Sequence, residues 1–282
     1  MADATHNLNP AGEPAWTDPL LTNPHAVADK ATRVNKMFSA IAPSYDLNNR
    51  LHSMWMDQHW RSVAVKMAEV KPTDVIVDVA CGTGDLTLKF ADRLWNVHEG
   101  LPASPEIGQV IGIDFTYEML PIAERKAAKT FAPIKSNPKP TFLSHVVRFI
   151  NGNALALPLP DNSADIISIA FGIRNVADWG AAIDEFARVL KPGGRLVILE
   201  FSLPTNPVMR GLYNFYFRKI MPITATLISG DKSGAYKYLP ESVNTFISRQ
   251  AMQDRMKAAG FKDTVARPMT FGICVCYKGV KG

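Results

Sequence analysis

The sequence predicts an α/β protein with a seven-stranded, mostly parallel sheet, helices on both faces and an N-terminal helical cap. Three observations carry this expectation. Apolar, β-branched runs alternate with amphipathic helical patterns from residue 75 to residue 201, the signature of successive βαβ units. Two helical patterns precede the first strand. Two strand-like runs without a helix between them end the chain, which reads as a closing hairpin.

The elements follow in order. Residues 1–26 carry Pro, Asn, Asp and Glu with little periodicity, so a mobile tail is expected. Residues 27–282 then form one domain, whose first part, 27–71, is the cap. Within the cap, residues 27–42 are helical in pattern, and 43–49 look turn-rich. Residues 56–70 are helical again, with Trp60, Val63, Met67 and Val70 at helix spacing, and Lys71-Pro72 ends them. Strands are expected at 75–79, 110–113, 145–150, 165–170 and 195–201, with helices at 84–93, 117–130 and 179–190. Lys191-Pro192-Gly193-Gly194 reads as a sharp break. Residues 95–108 and 131–143 lack periodicity and read as surface insertions. The stretch 206–229 is rich in Tyr, Phe, Ile, Leu and Met, with Arg210, Arg218 and Lys219 among them. Core packing is its plain reading, and a helix lining an apolar pocket or touching lipid is the sharper one. A helix at 249–259 and strands at 261–267 and 271–277 complete the chain.

Bulk properties narrow the function. The chain has 282 residues, 47% of them hydrophobic, enough for one large domain with a full core. Its formal net charge of +5 is a mild bias, and no run of five Lys or Arg occurs, so a nucleic-acid arm is not expected. The three cysteines, Cys81, Cys274 and Cys276, lack further Cys or His at ligand spacing, so they read as buried thiols rather than metal ligands. No stretch approaches the roughly 18 apolar residues that a spanning helix needs. Signal-peptide and transit-peptide patterns are absent from the first residues.

The chemistry is expected at residues 75–85, where an apolar strand turns through Gly82-Thr83-Gly84 into a helix. Such a turn lets backbone N–H groups approach a ligand closely. A dinucleotide is disfavoured, because Thr87 stands where the third glycine of G-x-G-x-x-G belongs and Asp85 opposes a pyrophosphate. The P-loop pattern is absent from the turn. A nucleoside with a cationic tail and no phosphate fits better, and S-adenosylmethionine is such a ligand. Asp78 and Asp85 flank the turn and can meet cationic groups. Asp114 ends the second strand, where an acid accepts from both ribose hydroxyls. Asn153 and Ala154 follow the third strand, where an amide can meet adenine.

Several segments carry a resemblance. DVACGTGD from Asp78, the strand-end Asp114, GNALALPLPDNSAD from Gly152 and RVLKPGG from Arg188 are similar to class I S-adenosylmethionine methyltransferases. AFGIRNV from Ala170, LEFS from Leu199 and YKYLPES from Tyr236 resemble the UbiE/COQ5 family of quinone C-methyltransferases, over about residues 33–278. The resemblance implies a Rossmann-like class I methyltransferase domain and S-adenosylmethionine as methyl donor, with no metal. It implies cofactor contacts at Thr83, Asp114, Asn153 and Ala154, beside the turn glycines Gly82 and Gly84. A family contact that is often serine falls on Ala170. The family pattern S-x-G-x-H-R-x-W-K is met only in part, since Trp55, Asp57 and Gln58 stand at its glycine, histidine and arginine.

The implied reaction methylates a ring carbon of a polyprenyl quinol, made nucleophilic by an adjacent hydroxyl. Arg174, after the fourth strand, is the first candidate for the quinol end, since guanidinium holds a phenolate oxygen but is a poor base. A structural pairing of Arg174 with a carboxylate is its alternative. Tyr45, Asp46 and Asp231 are candidates for proton transfer, and His52 and His59 are further polar residues of the cap that read more readily as structural. The expected setting is cytoplasmic, or the matrix side in a mitochondrion. Peripheral membrane contact and a homo-oligomer are both compatible with it. A methyltransferase of another small molecule, a non-catalytic cofactor-binding scaffold and a dehydrogenase stand as alternatives.

Overall fold

The computed structural model describes residues 14–98, 107–132 and 144–282. The parallel βαβ units run β1 (Val75–Val79), β2 (Gln109–Asp114), β3 (Val147–Asn151), β4 (Ala164–Ala170) and β5 (Leu190–Phe201). A hairpin of β6 (Phe261–Met269) and β7 (Cys274–Lys281) completes one seven-stranded sheet in the order β3-β2-β1-β4-β5-β7-β6. Only β7 runs against its neighbours, because a hairpin strand is inserted between β5 and β6. The order reverses between β1 and β4, and ligands of open α/β sheets bind at that reversal, beyond the carboxyl ends of the strands.

Alternation along each strand builds two cores. Ile76, Val110, Ile166, Val197 and Leu199 face one side, against α3 (Met56–Met67) and α4 (Asp85–His98). Val77, Ile111, Ile113, Ile167, Ile169 and Ile198 face the other, against α6 (Trp179–Val189) and α10 (Arg249–Ala258). α5 (Leu120–Thr130) lies between β2 and β3 in the chain. Cys274 and Cys276 sit together in the first core, and all three cysteines are free and buried.

A third core belongs to the cap. α1 (Lys30–Ile41) and α2 (Tyr45–His52) precede α3. They meet a long excursion after β5, made of α7 (Pro207–Phe215), a π-helical turn (Tyr216–Ile220), α8 (Met221–Ser229) and α9 (Ala235–Asn244).

Several expectations need correction. Residues 14–26 are not a mobile tail. Trp16 is 2% exposed and stacks on Tyr238 at 4.3 Å, its backbone N–H donates to the Ser233 carbonyl, and Leu21 is buried with it. One buried tryptophan anchors a segment that has no periodicity of its own. Residues 1–13 of the expected tail lie outside the described residues. The segment 43–49 is not a turn, because Pro43 sits in the short 3-10 turn at the helix entry and α2 follows it. α4 continues to His98, so Trp95 belongs to the helix, while 99–106 and 133–143 of the expected insertions lie outside the described residues. Lys191–Gly194 does not break the chain. It is a bulge inside β5, with Gly193 at φ +77° and the register slipping between Ala164 and Ile166.

Candidate active site

Two cavities meet under the cap. The smaller, about 110 Å³, lies at the switch point. Its walls come from the ends of β1 (Val79, Ala80), β2 (Asp114) and β4 (Ala170, Phe171), with Gly152, Asn153 and Ala154 after β3. The larger, about 280 Å³, lies between the cap helices and α7, the π-turn and α9, and is lined mainly by Met, Phe, Ile, Leu and Tyr. Tyr45 and Phe171 line both. A narrow crevice under the glycine turn, walled by Asp78, Thr83, Asp85 and Arg61, also borders Tyr45.

The backbone at this junction departs from ordinary geometry. Ala80 and Phe171, at the ends of β1 and β4, both take positive φ, +51° and +57°. Non-glycine residues hold that conformation only where their surroundings enforce it, and such residues cluster at functional sites. The Phe171 backbone is held by its N–H to the Leu199 carbonyl at 2.7 Å, and its own carbonyl accepts from Arg174 and Asn175. Its ring thereby stands between the two cavities.

The expected cofactor residues converge. Gly82, Asp114, Asn153 and Ala154 all line the smaller cavity, and Gly82 and Thr83 line the crevice. Gly82 sits at φ +56°, and a Cβ there would have only Tyr45 Cε1 near it, at 3.9 Å. The glycine is therefore needed for its backbone conformation, which keeps the approach to the turn open. Gly84 serves differently. A Cβ on it would lie 3.1 Å from Phe149 and 3.2 Å from Ala123, so it allows close packing rather than forming a cavity wall. The Asn153 side chain accepts the Leu155 N–H at 3.0 Å, which leaves its amide nitrogen free to donate.

Asp114 accepts the N–H groups of Gly82 and Thr116, each at 2.7 Å. A carboxylate has about four acceptor positions, so two remain for hydroxyls from the cavity. Burial outweighs those two bonds and raises its pKa to about 6. The consequence for a ribose-bearing ligand has a definite sign. Hydroxyl donors favour the ionised carboxylate, so affinity holds above pH 6 and falls below it, approaching about tenfold per pH unit. Calorimetric titration of the cofactor between pH 5 and 8 checks this.

Asp78, 1% exposed, accepts the hydroxyls of Thr87 (2.7 Å) and Ser168 (2.8 Å) and is also raised by burial to about 6. A buried acid with a raised pKa stabilises the fold only below its unfolded pKa of about 4, and that contribution is lost as pH rises through 6. Asp78→Asn is therefore expected to stabilise the free protein at pH 7 by up to about 3 kcal/mol, with the gain shrinking toward pH 4. Urea unfolding at several pH values measures it. Weaker cofactor binding should accompany the gain, since the crevice loses its negative charge.

Asp85 has another task. Burial pushes its carboxyl up, but Arg61, Lys126 and Arg50 together outweigh burial and hold it well below the usual range. Arg50 and Lys126 each approach it at 2.7 Å, and Arg61 stands 3.9 Å away. Arg50 also binds Asp57 at 2.6 Å, and Gln58 donates to both acids. The expectation that Asp85 meets a cationic ligand is corrected: its charge is spent tying the cap to the turn. The family departures Asp57 and Gln58 fall in this same network. Trp55 holds φ +61°, a conformation that favours glycine.

The candidates for the chemical step separate. Tyr45 stands at the junction of the cavities, and burial raises its pKa. Asp46 is on no cavity wall. It accepts from the Thr83 hydroxyl at 2.6 Å and pairs with Lys126 at 2.5 Å, a second tie between cap and turn. Asp231 accepts the N–H groups of Ser233 and Ala235 ahead of α9, and so shapes a turn. His59 is exposed and on no cavity wall, whereas His52 lines the larger cavity. Arg174 also lines the larger cavity, buried, with its guanidinium paired to Glu200 at 2.6 Å and bonded to the Phe171 carbonyl and Ser242. Arg174 therefore makes the carboxylate pairing of its structural alternative while also lining this cavity.

Sequence reasoning matched Arg61 to the last, basic position of the partly met family pattern but gave it no role at the site. Its buried guanidinium lies over the Phe171 ring at 5.2 Å, and Arg174 lies likewise over Phe201 at 5.4 Å. With Trp60, these rings form an aromatic end to the larger cavity, bordered by two cations. Arg61 follows Trp60 in a helical pattern, and nothing local marks it as pointing inward.

The sheet order, the acid-ended strands around the smaller cavity and the adjoining apolar cavity define a methyltransferase-type α/β fold. The chain belongs to the ubiE/COQ5 methyltransferase family, whose model matches residues 26–281. It is 38% identical over 258 residues to the ubiquinone/menaquinone biosynthesis C-methyltransferase UbiE of Geobacter sulfurreducens, covering 92% of each chain. It is 43% identical over 243 residues to the demethylmenaquinone methyltransferase of Thermus thermophilus, covering 86% of this chain and 99% of the relative. Among solved structures, a SAM dependent methyltransferase from Aquifex aeolicus shares the fold at TM-score 0.52 and 17% identity, over 79% of this chain and 89% of that one. A phosphoethanolamine N-methyltransferase from Haemonchus contortus, in complex with S-adenosyl-L-methionine, does so at TM-score 0.52 and 14% identity, over 78% of this chain and 52% of its own.

Proposed function

We propose that this chain transfers a methyl group from S-adenosylmethionine to a ring carbon of a polyprenyl quinol. The observation that carries the proposal is the meeting of two unlike cavities at Tyr45 and Phe171. One has the groups a nucleoside needs, and the other is apolar with an aromatic, doubly cationic end. The curated relatives are named for menaquinone and ubiquinone biosynthesis, which supports a quinol as the acceptor.

The residues fit the donor. Asp114 suits ribose hydroxyls, the Asn153 amide and the region of Ala154 suit adenine, and Asp78 with the turn at Thr83 suits an amino-acid end. When bound, the donor supplies an electrophilic methyl group. The protein's own groups do the rest. Phe171 and Tyr45 line both cavities and flank the passage between them, so that a ring beyond them lies in line with the methyl. Arg61 and Arg174 stabilise the phenolate that forms as the hydroxyl proton leaves, in a site of low dielectric. Glu200 keeps Arg174 oriented for this task. The ring carbon then takes the methyl as the methyl's bond to the donor's sulfur breaks and the thioether is left, and loss of the ring hydrogen as a proton restores the aromatic ring. The oxygen regains its proton, so one proton is released overall.

The prenyl tail needs an exit, and α7 and α8 are suited to one. Tyr213 and Tyr216 line the larger cavity, Leu212 lines it while remaining exposed, and Val208 (71% exposed) and Phe215 on α7 and Ile223 and Leu227 (78%) on α8 face outward. Met54 and Trp55 add to this surface, beside the His52–Thr224 bond that joins α2 to α8. Arg210 and Lys219 are exposed among these residues. Such a surface suits peripheral contact with anionic lipid. No helix among the described residues is long and apolar enough to cross a membrane. Leu212→Asp with Leu227→Asp is expected to lose flotation with anionic liposomes while keeping cofactor affinity. Equal flotation of the variant and the parent would count against this contact.

Turnover tests the acceptor. The protein is expected to methylate chemically reduced, short-chain demethylmenaquinone or its methoxy-benzoquinone counterpart, and to leave the oxidised forms unmodified. Turnover of an unrelated phenol or amine in preference to both would replace the quinol reading.

A further inference from the structure

Among the described residues, those that line the larger cavity carry four buried polar atoms without a hydrogen-bond partner: Arg61 Nε, which still lies within 4 Å of Asp57 and Asp85, the Tyr236 hydroxyl, the Tyr213 hydroxyl and Asn48 Oδ1. The last two are a donor and an acceptor on α7 and α2. Tyr213, on α7, is 4% exposed, and its hydroxyl has no hydrogen-bond partner. Asn48, on α2, is 3% exposed. Its Nδ2 donates to the Ser44 carbonyl at 3.3 Å, which fixes the amide so that Oδ1 is the free end, and Oδ1 has no partner either. A buried polar atom without a partner is costly, and most folds avoid it. Here the Tyr213 hydroxyl and Asn48 Oδ1 belong to residues that line one cavity from two separate helices. Packing alone accounts for the Tyr213 ring, which stacks on Phe217 at 4.3 Å, but not for its hydroxyl.

We infer that Tyr213 and Asn48 hold the two oxygens of the quinol ring, and that Asn48 makes the site selective for the reduced ring. The inference rests on the quinol reading above and deepens it. Burial raises the Tyr213 phenol, which therefore keeps its proton and donates. Asn48 Oδ1 can only accept. A quinol offers an oxygen to the first and an O–H to the second. A quinone also offers an oxygen to Tyr213, but it has no O–H for Asn48, so its carbonyl would face a second acceptor. The pair thus distinguishes the ring that can be methylated from the one that cannot, before any bond is made. Sites built to bond a hydroxyl reject analogues that lack it strongly, because a buried partner is left unmatched.

Two conservative variants test this. Tyr213→Phe is expected to raise KM for the quinol about tenfold. It should leave cofactor affinity within twofold, and Tm should stay level or rise, because the removed hydroxyl had no partner. A merely structural tyrosine would instead lose Tm without a selective rise in KM. Asn48→Leu is expected to weaken quinol binding and leave binding of the oxidised quinone unchanged or tighter, as read by competition with a fluorescent short-chain quinone. Should this variant fail to fold, Tyr213→Phe decides alone. If the parent protein turns over quinol and Tyr213→Phe keeps its KM within twofold, the assignment is wrong and the quinol reading stands. Equal loss for both redox forms in Asn48→Leu overturns the selectivity. If the parent protein neither binds nor methylates any quinol, the quinol reading falls and takes this assignment with it.

Discussion

Glu200→Ala is expected to lower stability by about 3–5 kcal/mol and to abolish turnover. Glu200 is 2% exposed, and its carboxylate receives Arg174 Nη1 at 2.6 Å, the Phe201 N–H at 2.7 Å and the Arg174 N–H at 3.3 Å. Removing it leaves a buried guanidinium without a counter-charge. The neighbourhood makes this worse. Lys30, also buried, donates to the carbonyls of Arg174 and Val176 at 2.8 and 2.7 Å. Burial, aided by the nearby Arg174, already lowers the Lys30 pKa to about 8. Two cations would then share a dry site. The turn from Phe171 to Asn175 hangs on these bonds, so the junction of the cavities is lost with the charge. Replacing both partners by apolar residues, Glu200→Leu with Arg174→Met, should recover most of the stability. It should not recover turnover, if Arg174 stabilises the phenolate. Urea unfolding with parallel assays separates the two roles, and full activity in the double variant would remove Arg174 from the mechanism.

Asp114→Ala is expected to weaken cofactor binding at least about a hundredfold, since each hydrogen bond to a charged acceptor contributes about 1.5–3 kcal/mol. Two such bonds to ribose hydroxyls are lost together. The same change frees the N–H groups of Gly82 and Thr116, so the glycine turn also loses its anchor to β2. Asp114→Asn retains an acceptor and should lose less, and its affinity should no longer fall as pH drops through 6. Calorimetry measures both variants. An Asp114→Ala protein that binds within threefold of the parent would show that the ribose contact lies elsewhere.

Much of the fold was legible because parallel strands buried on both faces must be continuous β-branched runs. VIVDV, QVIGID and ADIISIA announce themselves, and their carboxyl ends carry the residues that meet in the smaller cavity. Asp114 was legible for that reason, whereas Asn153 and Ala154 follow β3, an edge strand that is only partly buried. The cap was less so. Pro43 and the asparagines after it suggested a turn, but tertiary packing holds Tyr45–His52 in a helix and sets Tyr45 between the cavities. Long-range charge pairs leave no local trace. Arg50 meets Asp85 across 35 residues and Lys126 meets it across 41, so Asp85 looked free when it was fully engaged. The stretch 206–229 shows the limit of composition. Its apolar content suits a core helix, yet its outer face is open and its inner face lines a cavity.

The central claim is that the two cavities present a quinol ring carbon, rather than an oxygen, to the donor's methyl group. Single turnover with methyl-deuterated S-adenosylmethionine and a reduced short-chain demethylated quinol tests it most directly, with the product read by mass and by NMR. The account predicts three deuterium atoms on one ring carbon, loss of that carbon's proton signal, and one equivalent of S-adenosylhomocysteine. Label on a quinol oxygen, or no transfer while both ligands still bind, would contradict it.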